Sequence, residues 1–223
     1  MQVISKLPRW VEFGSFVLAL VAGLINAVGL LGFKHQSISH LSGTATLLGT
    51  GLMNESFLNV YYLIFILISF LLGAAVPGYI LRSGSLKLGK NYSFLLILEA
   101  LLLLAAVYFL TGDSLNGHYL ASAACGLQNA MATTFSGAVI RTTHVTGIFT
   151  DLGIMLGARV RGEHFDNRKA LLLILIIVGF ILGGTVGAFL YSILMFEALY
   201  IPAGICVLLA ISYSIYASKF RST

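Results

Sequence analysis

The sequence CGLQNAMATTFSGAVIRTTHVTGIFTDLG, from Cys125 to Gly153, gathers polar side chains within a chain that is otherwise mostly apolar. Besides six threonines and one serine, its polar residues are Gln128, Asn129, Arg141, His144 and Asp151. An earlier stretch, AGLINAVGLLGFKHQSISHLSGTATLLG from Ala22 to Gly49, has a similar pattern. Two related polar stretches in an apolar chain predict a duplicated unit whose polar residues serve a common purpose.

The composition indicates a membrane protein. Of the 223 residues, 58% are hydrophobic and 9% are charged, and the mean hydropathy is +0.97. Soluble domains carry roughly 25% charged residues, so a soluble protein of this composition would lack polar surface. We therefore predict a single transmembrane domain over residues 1–223, in contact with the lipid bilayer.

The net charge of +5 could suggest nucleic-acid binding. Basic residues are, however, typical of the cytoplasmic loops of membrane proteins, and no basic run interleaved with aromatic residues is present. We expect no nucleic-acid partner. Cys125 and Cys206 lie in apolar segments and are expected to be buried side chains, neither a disulfide nor a metal pair.

Eight apolar segments follow one another along the chain, at about 11–33, 41–53, 58–81, 92–111, 118–140, 145–157, 170–191 and 196–217. A spanning helix needs about 20 apolar residues, and six segments are long enough. The segments at 41–53 and 145–157 are short and rich in Gly, Ser and Thr. They are expected to be short helices, re-entrant segments or extensions of the preceding helices, within an all-α helix bundle.

Three blocks of sequence recur in the same order and define an internal repeat. GLINA at 23–27 matches GLQNA at 126–130, HLSGTATLLG at 40–49 matches HVTGIFTDLG at 144–153, and FLLGAAVPGYI from Phe70 matches FILGGTVGAFL from Phe180. The offsets are 103, 104 and 110 residues. We predict a first repeat over 11–111 and a second over 115–217.

The positions of the basic residues predict how the repeats are oriented. If all eight segments crossed the membrane with the amino terminus inside, Arg82, Lys87 and Lys90 would lie outside, against the positive-inside rule. If the two short segments do not cross, only Lys34 of the thirteen basic residues lies outside. We therefore predict six spans in a 3+3 inverted repeat, with both termini in the cytoplasm.

Five polar residues are predicted to bind a solute near the membrane midplane, because polar groups at that depth usually face a wet cavity or the bundle interior. They are Asn26, Asn129, Gln128, His40 and His144. Each His precedes a short segment whose first helical turn would present free N–H groups and a positive dipole end, which can hold an anion or a polar solute. Alternatively, each of these side chains only forms hydrogen bonds with a neighbouring helix.

Charged residues differ between the repeats. Arg141, His144 and Asp151 have the spacing of one helical face, and the first repeat has no counterpart of Arg141 or Asp151. Arg141 is predicted to bind solute, or else to anchor a helix at its cytoplasmic end. Asp151 and the lone carboxylate Glu99 are predicted to couple transport. The alternatives are an ion pair of Asp151 with a loop arginine such as Arg159, and a contact of Glu99 with a Ser or Tyr.

The signatures GLQNA at 126–130 and RTTHVTGIFTDLG at 141–153 resemble the YoaK-like family of bacterial inner-membrane proteins, a domain of unknown function. The resemblance covers nearly the whole chain and implies a multi-pass protein of the bacterial inner membrane. It also implies an acidic residue in the first repeat, where this chain has Asn26. It implies no substrate.

These features predict a transporter or channel for a small solute bound near the midplane between the repeats. The alternative is a membrane scaffold or sensory subunit without transport activity. No HExxH, GxSxG or Walker motif is present, so we expect no enzyme, no cofactor and no metal site. Glycine-rich helix faces could serve internal packing or a homodimer.

Overall fold

The structure, a computed structural model, describes residues 10–32, 39–54, 57–81, 90–136 and 140–219, and within these ranges it is a bundle of helices. The helices are α1 (Trp10–Leu31), α2 (Leu41–Asn54), α3 (Phe57–Ile80), α4 (Lys90–Thr111), α5 (Asn116–Ser136), α6 (Val145–Val160), α7 (Asn167–Leu194) and α8 (Tyr200–Lys219). A short 3₁₀ helix, Met195–Leu199, joins α7 to α8. The predicted all-α class is therefore confirmed.

Among the described residues, four helical stretches, which do not include α5 (the predicted spanning segment at 118–140), are long and apolar enough to cross a membrane: Trp10–Leu31, Phe57–Ile80, Asn91–Thr111 and Asn167–Ile215. The last of these contains α7 and most of α8, with the 3₁₀ helix between them. Their outer faces carry large apolar side chains, for example Phe57 at 82% exposure and Tyr79 at 94%. Such surfaces are stable in lipid and not in water, so the chain is a membrane-embedded protein.

The first helix packs closely along α7, and the two run in the same direction. Three glycines of α7 lie against α1 in matching order, Gly179 at Phe16, Gly183 at Leu20 and Gly187 at Leu24. A Cβ atom at any of them would overlap the backbone of α1. Small residues thus allow two backbones to touch, as is common between helices in lipid.

The same contact occurs between α3 and α5, which also run in the same direction. A Cβ at Gly73 would overlap the backbone of Ala123, and a Cβ at Gly126 would overlap the backbone of Phe70. The α1–α7 pair has the corresponding contacts, Gly183 at Leu20 and Gly23 at Phe180. The four positions of one pair differ from those of the other by 103 residues (α1 to α5) or 110 residues (α3 to α7).

Other contacts fix the remaining directions. Helix α1 runs opposite to α5, because Trp10 stacks near Phe135 with ring centroids 5.8 Å apart, whereas Leu18 lies beside Gln128. Helix α4 runs opposite to α8, since Tyr92 lies near Tyr213 and Ser93 bonds with Ser214 at 2.9 Å. Met195, with a φ of 51°, ends α7 and turns the chain toward α4.

Gly14 and Gly117 are equivalent positions of the two repeats, but their surroundings differ. Gly117 at the start of α5 is pressed against the carbonyl of Ala106 and the side chain of Leu110, both on α4. Its equivalent in α1, Gly14, has nothing within 4 Å of a Cβ added there. Gly14 instead borders an apolar crevice of about 360 Å³ between α1, α4, α5 and α8. Helices α4 and α5 are thus closed against each other at Gly117, whereas the crevice separates α1 from α8 beside Gly14.

The two short helices match the two short segments predicted from sequence. Helix α2 has 14 residues and α6 has 16. The expectation that Arg141, His144 and Asp151 share a helical face is wrong, because α6 begins at Val145 and only Asp151 lies within it. The preceding residues 140–144 are irregular chain, which allows Arg141 and His144 to turn independently of the helix.

Candidate functional site

A polar cavity of about 690 Å³ lies where the first turns of α2 and α6 meet α3 and α5. Both short helices contribute equivalent residues to its wall, with Ser39, His40, Leu41 and Ser42 from one and Thr143, His144, Val145 and Thr146 from the other. Helix α5 contributes Asn129, Ala130, Thr133 and Thr134, and α3 contributes Phe70, Ala74 and Gly78. Arg141 completes the lining.

His144 stands at the start of α6, at the mouth of the cavity. It occupies the N-cap position, but its side chain makes no hydrogen bond to the first turn of the helix. The imidazole lies directly over Gly147, where an added Cβ would overlap the ring. The absence of a side chain at Gly147 therefore permits this orientation of His144.

His40 occupies the equivalent place at the start of α2, but its surroundings differ. Its ring meets Phe180 of α7 edge-on, with centroids 5.5 Å apart. Burial lowers the pKa of His40, which lies outside the four candidate spans, because desolvation disfavours the charged imidazolium. A Cβ added at Gly43, the equivalent of Gly147, meets nothing within 4 Å. The two histidines thus share the cavity without sharing their packing.

Asn129 and Arg141 bring hydrogen-bonding capacity to the same wall. The Oδ1 atom of Asn129 is buried and has no hydrogen-bond partner among the described residues. Arg141 is exposed, and no described carboxylate pairs with it. A buried amide without a partner is costly unless a solute or water satisfies it. The cavity therefore contains His40, His144, Asn129 and Arg141, four of the six predicted solute-binding residues.

Asn26 and Gln128, the other two predicted solute-binding residues, do not line this cavity. The Oδ1 atom of Asn26 accepts a hydrogen bond of 2.8 Å from Ser39, which fastens the chain before α2 to α1. The Nε2 atom of Gln128 donates to the carbonyl of Leu18 at 3.0 Å, which joins α5 to α1. In the structure these two side chains hold helices together.

The two predicted coupling carboxylates also lie away from the cavity. Asp151 is exposed on α6 and lies 3.7 Å from Lys169, not beside Arg159. Glu99 is fully buried among α4, α5 and α8, next to the thiols of Cys125 and Cys206. Apart from the adjacent Cys206 thiol, which is a weak donor, no group in the described part of the chain offers a hydrogen bond to the carboxyl oxygens of Glu99. The same part of the chain contains no group of three His, Cys, Asp or Glu side chains arranged for a metal ion.

The sequence pattern did not single out several residues of the wall. Three threonines of the polar stretch line the cavity although no binding role is predicted for them: Thr133, Thr134 and Thr143. The α3 residues Phe70 and Ala74 are apolar, so no polar pattern indicates them. Helical spacing could have indicated the threonines, because Asn129 and Thr133 are four residues apart on one face of α5. The α3 residues are brought there by the close contact of α3 with α5.

The fold and the cavity define an all-helical membrane protein with a polar site at the start of two short helices. The chain belongs to the family described as "Protein of unknown function (DUF1275)", whose model matches residues 14–212. The chain matches no curated protein and no solved structure. The family membership covers both polar stretches, in agreement with the resemblance seen in GLQNA and RTTHVTGIFTDLG.

Proposed function

We propose that the protein is a transporter or channel for a small solute, which binds in the polar cavity between α2, α3, α5 and α6. The observation that carries this proposal is the meeting of two equivalent short helices, through His40 and His144, at one cavity. Half-helices that direct their N-termini at a shared site are a recurring means of binding solutes at membrane depth. In this proposal the chain is a carrier of solute and catalyses no reaction.

The proposed topology is the 3+3 inverted repeat with six spans. If all eight helices crossed the membrane alternately, α1 and α5 would run in the same direction. If α2 and α6 do not cross, they run in opposite directions, as the pairing of Trp10 with Phe135 and of Leu18 with Gln128 supports. The matching α1–α7 and α3–α5 contacts support the same two-fold relation between repeats. The positive-inside prediction also used six basic residues that lie outside the described residues: Lys6, Arg9, Lys34, Arg82, Lys87 and Arg221.

In this topology the apolar crevice beside Gly14 opens on the cytoplasmic side of a bacterial inner membrane. The starts of α1 and α4 and the ends of α5 and α8 all border it. The opposite side is closed where Gly117 packs on Leu110. Because inverted repeats can exchange their conformations, the unlike surroundings of Gly14 and Gly117 support an alternate state with α1–α8 closed and α4–α5 open.

The transport test compares two cavity variants with a control. We expect His144→Ala and Asn129→Ala to abolish solute flux into proteoliposomes while the yield of folded protein is unchanged. Gly153→Ala is the matched control, because that glycine lies on α6 with nothing within 4 Å of an added Cβ. A panel of solutes of different charge is screened by solid-supported membrane currents and by uptake. Unchanged flux in both cavity variants would exclude this site.

The roles of Glu99 and Asp151 as coupling residues remain part of the proposal. Neither touches the solute cavity, so any coupling would act through the helices that carry them. We expect Glu99→Gln to alter the dependence of flux on a pH gradient with solute binding retained. Equal gradient dependence in wild type and variant would exclude Glu99.

A scaffold or sensory subunit without flux is the second candidate. It is favoured by Gln128 and Asn26, two of the predicted site residues, whose hydrogen bonds join helices instead of lining the cavity. The close-contact glycines Gly23, Gly73, Gly126 and Gly183 are occupied within the chain, so a homodimer would need other surfaces. Absence of flux for every solute in the panel, together with a stable hetero-oligomer, would favour this candidate.

A further inference from the structure

Among the described residues, the solute cavity is lined by one positive charge and no negative one. Arg141 is the single Lys, Arg, Asp or Glu side chain in that part of its lining. The acidic residues Asp151 and Glu99 lie outside the lining, with Asp151 at Lys169 and Glu99 in the core between α4, α5 and α8. An arginine that lines an open cavity and has no carboxylate partner among the described residues is suited to an anionic ligand, which its planar fork can bind through two hydrogen bonds.

The first turns of α2 and α6 add to this positive potential. Each helix is long enough to have a dipole, at 14 and 16 residues, and each begins at the cavity wall. Unsatisfied N–H groups of a first helical turn favour anions. The hydroxyl of Thr143, which is buried at the wall with 6% exposure, can donate a further hydrogen bond to an anion.

We propose that the cavity binds an oxyanion, a carboxylate or phosphate-type group of a small solute, between Arg141 and the first turns of α2 and α6. The volume of about 690 Å³ leaves room for an organic body beyond the anionic group. Phe70, Ala74 and Ala130 form an apolar part of the wall for that body. The transport of this solute rests on the proposed function, whereas its binding does not.

The two histidine turns provide a matched pair of variants. In Gly147→Ala the new methyl group would displace the His144 imidazole, which can rotate away without disturbing the backbone. In Gly43→Ala, the equivalent change in α2, the methyl group meets nothing within 4 Å. Both variants replace glycine with alanine at the same position of a short helix. A difference in binding between them therefore reports the displacement of His144 at the cavity.

The test measures thermal unfolding of the full-length chain in detergent, titrated with sodium acetate, sodium succinate or sodium phosphate at fixed ionic strength. Sodium chloride and glycerol serve as reference additions. We expect at least one oxyanion to raise the unfolding midpoint saturably in wild type and Gly43→Ala, as a ligand specific for the folded state does. Arg141→Gln is expected to weaken the apparent affinity by about tenfold or more, and Gly147→Ala is expected to weaken it as well.

The outcomes separate this inference from the proposed function. No saturable stabilisation by any of the three oxyanions, or equal affinity in wild type and Arg141→Gln, would overturn the oxyanion site. If Arg141→Gln does not fold, Arg141→Lys and Gly147→Ala still decide the question. Oxyanion binding without flux into proteoliposomes contradicts transport and leaves the site standing. Flux of a neutral or cationic solute that requires His144, without oxyanion binding, contradicts the site and leaves transport standing.

Discussion

Gln128 and Asn129 are adjacent on α5 but have opposite surroundings. Gln128 is fully buried and donates to the Leu18 carbonyl, whereas Asn129 faces the cavity and has an unpartnered oxygen. A hydrogen bond between helices contributes to stability, and a polar group at a cavity contributes to binding. The two neighbours should therefore be separable by substitution.

We predict that Gln128→Ala lowers the free energy of unfolding by roughly 1–3 kcal/mol, because it removes a buried contact with α1 and leaves the Leu18 carbonyl without that donor. Asn129→Ala should leave stability within about 0.5 kcal/mol of wild type, which is the usual range away from packed or bonded sites. Thermal unfolding in one detergent compares them. Equal destabilisation by both changes would show that Asn129 is also structural.

At the scale of helices, the α1–α7 and α3–α5 pairs dominate the packing. Each pair places glycines against the backbone of the partner helix at equivalent positions of the two repeats. Gly23 of α1 is equivalent to Gly126 of α5, and Gly73 of α3 is equivalent to Gly183 of α7. These contacts tolerate no side chain, since backbone atoms cannot rotate away as the His144 ring can. Because the same contact occurs in both helix pairs, equivalent substitutions in the two repeats can be compared with each other.

We predict that Gly23→Ala and Gly126→Ala destabilise the protein to a similar extent, by about 1–3 kcal/mol or more, through overpacking against Phe180 and Phe70. Gly157→Ala on α6 is the control, because an added Cβ there meets nothing within 4 Å. It should be neutral or slightly stabilising in a helix. The measurement is the yield of folded protein after heating, and a neutral Gly126→Ala would contradict the close contact.

The helices themselves could be predicted from sequence, because long apolar runs are typical of spanning helices and the two shorter runs are not long enough to span. The short segments at 41–53 and 145–157 correspond to α2 and α6, with boundaries shifted by up to three residues. The cavity could be predicted in part, since His40, His144, Asn129 and Arg141 meet there. The roles of Asn26 and Gln128 could not, because the motif GLxNA does not reveal which neighbour each amide bonds.

At the scale of the whole molecule, the crevice beside Gly14 contrasts with the close packing of Gly117 against Ala106 and Leu110. Such a difference cannot follow from repeated sequence alone, since both positions are glycine at the start of a long helix. The difference depends on the distance between helices, because α5 packs closely on α4 whereas α1 stays apart from α8 beside Gly14. A motif search therefore predicts the equivalence of the positions and not the state that each one adopts.

We predict that cysteines introduced at Gly14 and at Ser212, which border the crevice from α1 and α8, react with a maleimide in detergent. The native Cys125 and Cys206 are fully buried and should react slowly, so the native chain is the control. If the alternate state forms, a transported solute should slow labelling at both positions. For the same variants in proteoliposomes, labelling rates that do not change during transport would contradict closure of the crevice.

The parallel packing of α1 on α7 has a consequence for biosynthesis. Helix α1 ends at Leu31, yet its close partner begins only at Asn167, so most of the chain must be synthesised before the two can meet. Until then the face of α1 that carries Gly23 contacts lipid or the insertion machinery. The first half of the chain is thus expected to remain loosely assembled, and the two halves to become stable only as an interlocked unit when the last quarter of the chain, which begins at Asn167, has been inserted.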